Sequence, residues 1–124
     1  MRATMQRYLE CVGRGDLDGV LSLFADSISV EDPVGGGPGT HVIGRDEVAA
    51  FFGRGFERSR PRPTPTGPIC TTGRNEAAMP FRLQLTLRNK VHEIDVIDVM
   101  IFDDDGKITS LRAFWNPDEM RPVA

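Results

Sequence analysis

Three polar side chains fall on faces that their neighbours make apolar. Tyr8 shares one helical stripe with Met5 and Val12, Asp32 has the strand parity of Ile28 and Val30, and Asp98 has that of Ile94, Val96, Met100 and Phe102. All three are therefore expected to point inward. A carboxylate among apolar groups either costs several kcal/mol or takes up a proton, so two such aspartates require an explanation. Acid–base chemistry in an enclosed site is one. Structural readings stand beside it: Asp32 before Pro33 as a turn residue, Asp98 paired with a buried arginine, Tyr8 bonded to a carbonyl. The three together favour a site more than any one of them alone.

Other chemistry-bearing residues argue less. Asp95 has the parity of Ile97, Val99 and Ile101, which puts it on the opposite face as a structural residue. His41 lies in a glycine-rich loop and His92 near a strand start, with no third ligand at metal spacing, so no metal is expected. Gly35-Gly36-Gly37-Pro38-Gly39 has neither dinucleotide nor phosphate-loop spacing and reads as a flexible loop. No histidine stands near a nucleophile elbow to activate a serine or threonine. Cys11 and Cys70 are read as two free thiols.

The elements that must position the three groups follow from periodicity. Met1, Met5, Tyr8, Leu9 and Val12 form the buried stripe of a helix ending near Gly13, and Asp16 can cap a second helix that turns Leu17, Val20, Leu21, Leu23 and Phe24 inward. Ser27–Asp32 alternates as a short strand ended by Pro33. Residues 35–44 read as a loop, and 46–57 as a third helix carrying Val48, Phe51, Phe52 and Phe56. Residues 59–68 hold four prolines and read as an extended connection or an edge strand. Met79, Phe81, Leu83, Leu85 and Leu87 then alternate with polar residues. A turn at Asn89-Lys90 leads into a long strand from Val91 to Phe102, and a turn at 103–106 leads into a last strand from Lys107 to Trp115. Helices first and strands afterwards predict an α+β fold with a curved antiparallel sheet carrying the helices on one face.

Bulk properties narrow the partners. The chain has 124 residues and a net charge of −3, which fits a single domain, 1–124, with one site, and disfavours nucleic acid. Arg54, Arg58, Arg60 and Arg62 form a local basic stretch without interleaved aromatics, read as a solvated loop. No apolar run is long enough to span a membrane and no leader is visible, so no membrane partner and a cytoplasmic location are expected.

Arg7-Tyr8-Leu9-Glu10, Val30-Glu31-Asp32-Pro33 and Asp95-Val96-Ile97-Asp98-Val99-Met100 resemble the Δ5-3-ketosteroid isomerases of bacteria. Gly44-Arg45, Ala78-Met79-Pro80-Phe81-Arg82 and Ala113-Phe114-Trp115 extend the likeness along nearly the whole chain, in the same order with similar gaps. The resemblance implies the cone-shaped fold of nuclear transport factor 2, a curved sheet wrapped on three helices, and a homodimer formed through the sheet. It implies a cofactor-free steroid isomerase in which Asp32 moves a proton while Tyr8 and a protonated Asp98 hold the dienolate oxygen. The neutral aspartate is an established feature of that family rather than a deduction from these residues. Ile94, Val96, Met100 and Phe102 nevertheless supply a setting that favours an uncharged acid, and Asp32, at a strand end beside a glycine loop, is expected to be wetter.

Val34, Phe52, Met79, Phe81 and Trp115 are the candidates for an apolar slot taking a flat polycyclic ligand, with Met79 and Phe81 equally readable as core. Phe24 and Phe52 stand where some relatives carry tyrosines that bond the catalytic one, and the 35–44 loop is about three residues longer. The same scaffold hosts dehydratases, cyclases, epoxide hydrolases and non-catalytic steroid or lipid carriers, so the site must decide among them.

Overall fold

The computed structural model describes residues 1–123. Helix α1 (Arg2–Arg14) buries Met5, Tyr8, Leu9, Cys11 and Val12, the stripe expected from their spacing. It ends at Gly15, whose φ of 64° is a left-handed conformation that glycine adopts without a Cβ penalty. Helix α2 (Leu17–Ser22) starts at Asp16, whose side chain accepts the Gly19 N–H at 2.9 Å. Helix α3 (Arg45–Ser59) carries Asp46 and Glu47 in its first turn, where acids suit the helix dipole, and buries Val48 and Phe52.

The strands are β1 (Phe24–Glu31), β2 (His41–Ile43), β3 (Arg62–Pro65), β4 (Cys70–Thr71), β5 (Glu76–Leu87), β6 (Lys90–Phe102), β7 (Ile108–Phe114) and β8 (Arg121–Pro122). They form one open, curved sheet ordered β2-β1-β7-β6-β5-β3, with β4 on β5 and β8 on β6. The fold is α+β, with the three helices and the sheet's inner face enclosing the core. No helix among the described residues is long and apolar enough to cross a membrane.

Four details depart from the sequence expectation. The sheet is not wholly antiparallel, because β1 runs parallel to β7, with Glu31 opposite Arg112. The second helix stops at Ser22, and Phe24 opens β1. The Leu23 carbonyl accepts the Ile108 N–H, so this apolar run is taken by the sheet rather than by the helix. Part of the 35–44 loop is strand β2, which pairs with β1 through Ser29, Val30 and Glu31. The tight turn falls at Arg88-Asn89, one residue early. Both have positive φ (51° and 64°), as a two-residue hairpin turn requires.

The long β5–β6 hairpin sets the inner face. Its register places Phe81 opposite Val96, Met79 opposite Asp98 and Leu83 opposite Ile94. On the outer face Asp95 is exposed and accepts from Arg82 and Arg121, in keeping with a structural role.

Candidate active site

Tyr8, Asp32 and Asp98 line one cavity of about 240 Å³, together with Phe52, Phe81 and Trp115. Each reaches it by a different route. Tyr8 projects from the middle of α1 between Phe24 and Phe52, whose ring centroids lie 6.3 and 6.2 Å from its own. The aromatic contacts fix the ring, and no tyrosine hydroxyl from positions 24 or 52 reaches it. Asp32 follows the last residue of β1, where its N–H donates to the Thr40 carbonyl at 2.8 Å. Asp98 is on β6 and 2% exposed, the one charged residue type in the buried core.

The polar ends of the three groups are set differently. Trp115, just past β7, donates its indole N–H to Asp32 Oδ1 at 2.6 Å, the single protein side-chain hydrogen bond to the three groups among the described residues. Among the described residues no side-chain nitrogen or oxygen is both fully enclosed and unpartnered, and the Tyr8 hydroxyl and the Asp98 carboxyl are on residues that line the cavity. They are donors and acceptors held ready for a guest.

Burial dominates the electrostatics. It pushes the Asp98 carboxyl well above the ordinary carboxylate range, and the negative charge of Asp32 pushes it further. Asp32 is raised by the same desolvation, only to about 6, because the Trp115 hydrogen bond favours its charged form. The Tyr8 hydroxyl is raised by burial and then by the two aspartates, which keeps it protonated. Asp32 is therefore the carboxyl that more readily carries a charge, while burial favours the neutral forms of Asp98 and Tyr8. An anionic base and two hydrogen-bond donors are the parts needed to move a proton on carbon while charge builds on a nearby oxygen.

Removing the indole donor should therefore raise the titration midpoint of Asp32. In Trp115→Phe, the side-chain carboxyl of Asp32, followed by carbon NMR, is expected to titrate above 6. An unchanged midpoint would assign the depression to something other than this hydrogen bond.

Two of the five slot candidates lie elsewhere. Met79 is on the inner face but only 1% exposed, and it faces a separate groove under α1 with Leu9, Pro63, Pro65 and Ile69. It sits two residues before Phe81 on β5, which carries it past the end of the slot. Val34 does not line this cavity, and its N–H donates to the Ala113 carbonyl at 2.9 Å. The slot walls include residues sequence reasoning did not single out: Leu9, Val12, Phe51, Phe56, Leu85 and Ala113. Their periodicity matches core packing, so no local signal separates wall from core.

The two histidines stay outside the cavity. His41 Nε2 meets the Ser29 hydroxyl at 3.0 Å on the rim of the sheet, and His92 Nδ1 meets the Lys90 carbonyl at 3.2 Å. No cluster of three metal-ligating side chains occurs among the described residues.

A curved sheet closed over three helices, with an apolar cavity between them, is the architecture of the nuclear transport factor 2 class. Residues 5–111 match the SnoaL-like domain family, and the chain belongs to it. A steroid Δ-isomerase of Nocardioides simplex is 33% identical over 120 residues, covering 97% of this chain and 93% of that protein. The crystal structure of the Δ5-3-ketosteroid isomerase of a Mycobacterium species superimposes with a TM-score of 0.86 at 34% identity, covering 98% and 96% of the two chains. An epoxide hydrolase/cyclase-like enzyme of pyran ring formation in salinomycin superimposes with a TM-score of 0.89 over 98% and 95% of the chains. Its 22% identity speaks to the fold alone.

Proposed function

We propose that the protein is a cofactor-independent steroid Δ-isomerase, converting a β,γ-unsaturated 3-oxosteroid into its α,β-conjugated isomer. The observation that carries this reading is the difference between two carboxyl groups on one apolar cavity: Asp32 accepts the Trp115 indole and is raised only to about 6, while Asp98 has no such donor among the described residues and is pushed well above the ordinary carboxylate range. The relatedness to steroid isomerases across nearly the whole chain supports it.

In this reading the Asp32 carboxylate removes a proton from the carbon between ketone and alkene. The C–H electron pair delocalises into a dienolate, and the charge collects on the ketone oxygen. Tyr8 O–H and the Asp98 carboxylic acid donate hydrogen bonds to that oxygen, and both bonds strengthen as charge develops. Asp32 then returns the proton two carbons further along, which leaves the double bond conjugated and the base regenerated. Phe52, Phe81 and Trp115 hold the flat rings against the polar end.

A dehydratase or hydrolase would place a His/Asp pair or an Asp-Arg-Asp group on the cavity, and among the described residues neither a histidine nor an arginine lines it. A carrier would have no use for a carboxylate held ionised by an indole.

Purified protein mixed with a 5-ene-3-oxosteroid is expected to give growing ultraviolet absorbance from the conjugated enone, with no metal or cofactor added. Because the working form of Asp32 is the anion, kcat/KM should fall below about pH 6, tenfold per pH unit at the acid extreme. Absence of turnover above buffer would turn the reading to a steroid carrier.

For the outer face of the sheet we infer a second copy of the chain. Ile97 and Phe114 are 47% and 42% exposed and sit opposite each other in register on β6 and β7, an apolar pair at the centre of the face. Sedimentation at micromolar concentration is expected to give twice the chain mass, and Ile97→Lys to give single chains. A parent protein that sediments as one chain would exclude the dimer.

A further inference from the structure

The slot has a polar end and an arginine end. Its lining runs along β6 from Asp98 to Ile94 and along α3 from Phe52 to Ser59 and on to Pro61. Four residues of strand span about 13 Å and eight of helix about 12 Å, comparable to the long axis of a four-ring nucleus. Tyr8 and Asp98 are buried at one end. At the other, Gly55 is exposed and Ser59 and Pro61 are half-buried, so the slot reaches the surface between the C-terminal ends of α1 and α3.

There it meets a second hollow with which it shares Val12, Phe56 and Pro61. This hollow is lined by Arg14, Arg60 and Arg62 and by no acidic residue. Arg14 is partly engaged, 3.9 Å from Asp16. Arg62 donates one N–H to the Gly13 carbonyl at 3.2 Å, leaving the rest of its guanidinium unclaimed. Neither Arg60 nor Arg62 has a carboxylate partner among the described residues. In a chain of net charge −3, three cations share one concavity, with Asp16 beside Arg14 but outside its lining.

We propose that this arginine-lined hollow receives a carboxylate carried by the substrate at the end remote from its ketone, so that the preferred substrate is an acidic 3-oxosteroid rather than a neutral one. The inference rests on the isomerase reading for its orientation, since only a ketone seated between Tyr8 and Asp98 directs the far end of the rings toward α1 and α3. The guanidinium fork suits a carboxylate, which it can hold through two parallel N–H donors. The hollow is open to water, so the gain is modest and falls with added salt.

The test compares a 5-ene-3-oxosteroid whose side chain ends in a free carboxylate with its methyl ester, in turnover and in binding. The conjugated ketone products serve as binding probes, followed through Trp115 fluorescence. The acid is expected to show a KM and a dissociation constant about tenfold lower than the ester at low salt, converging at about 0.5 M salt. Arg60→Gln/Arg62→Gln should remove most of that preference through KM with little effect on kcat, and Arg60→Lys/Arg62→Lys should keep part of it. Equal constants for acid and ester in the parent protein, or a salt-independent preference, would overturn the proposal without reference to any variant. A preference for the acid in binding with no turnover of either compound would sink the isomerase reading and leave the anion subsite standing.

Discussion

Asp32→Asn is expected to lower kcat by about 10²–10⁴, the range a positioned general base contributes, while steroid binding is retained. The substitution keeps the volume and keeps an oxygen acceptor for the Trp115 indole, so the cavity should survive it. It also deletes the negative charge that helps raise Asp98 and Tyr8, which makes both better donors to an oxyanion. A phenolic steroid, which mimics the dienolate, should therefore bind no more weakly than to the parent protein. Turnover within a few-fold of the parent would remove Asp32 from the mechanism.

Asp98 carries the second large effect, on two measurements of different kinds. Asp98→Ala deletes an oxyanion donor and is expected to cost about 10²–10³ in kcat. Asp98→Asn restores an N–H donor and should recover part of the loss. Stability moves the other way. The folded state raises this carboxyl above its ordinary value of 3.8, so between the two values the folded chain holds a proton the unfolded chain has released. Stability therefore falls as pH rises, by up to about 1.4 kcal/mol per pH unit across that window. Asn cannot ionise and escapes this loss. Thermal melts of Asp98→Asn should match the parent near pH 4 and exceed it increasingly as pH rises above that, until the folded carboxyl itself ionises. A melting difference that does not change with pH would mean that Asp98 is not held neutral.

Much of this site was legible because period-two and period-3.6 patterns reveal a polar group only when its neighbours are strictly apolar. Asp98 between Val96 and Met100, and Tyr8 between Met5 and Val12, meet that condition. Asp95, the same residue type three positions from Asp98, serves as the control, since its parity alone sends it to solvent. What periodicity cannot encode is pairing across the chain. Nothing local distinguishes a strand that joins its sequence neighbour from one that joins β7, so the parallel β1–β7 contact and the Trp115–Asp32 hydrogen bond were both invisible. The apolar pattern assigns Phe24 to the second helix for the same reason, since an apolar pair at a helix end fits the next strand equally well. Met79 and Phe81 share a face, and only the depth of the slot separates core from wall.

The parallel seam between β1 and β7 also makes the site depend on contacts between distant parts of the chain. Asp32 and the indole that holds it are 83 positions apart, and their strands become neighbours only after Ile108–Phe114 has docked. A ribosome-bound chain displaying Tyr8, Asp32 and all three helices still lacks the wall that carries Asp98 and the partner that keeps Asp32 charged. In the isomerase reading, the base is therefore completed only when β7 has joined β1 and brought the Trp115 indole to Asp32.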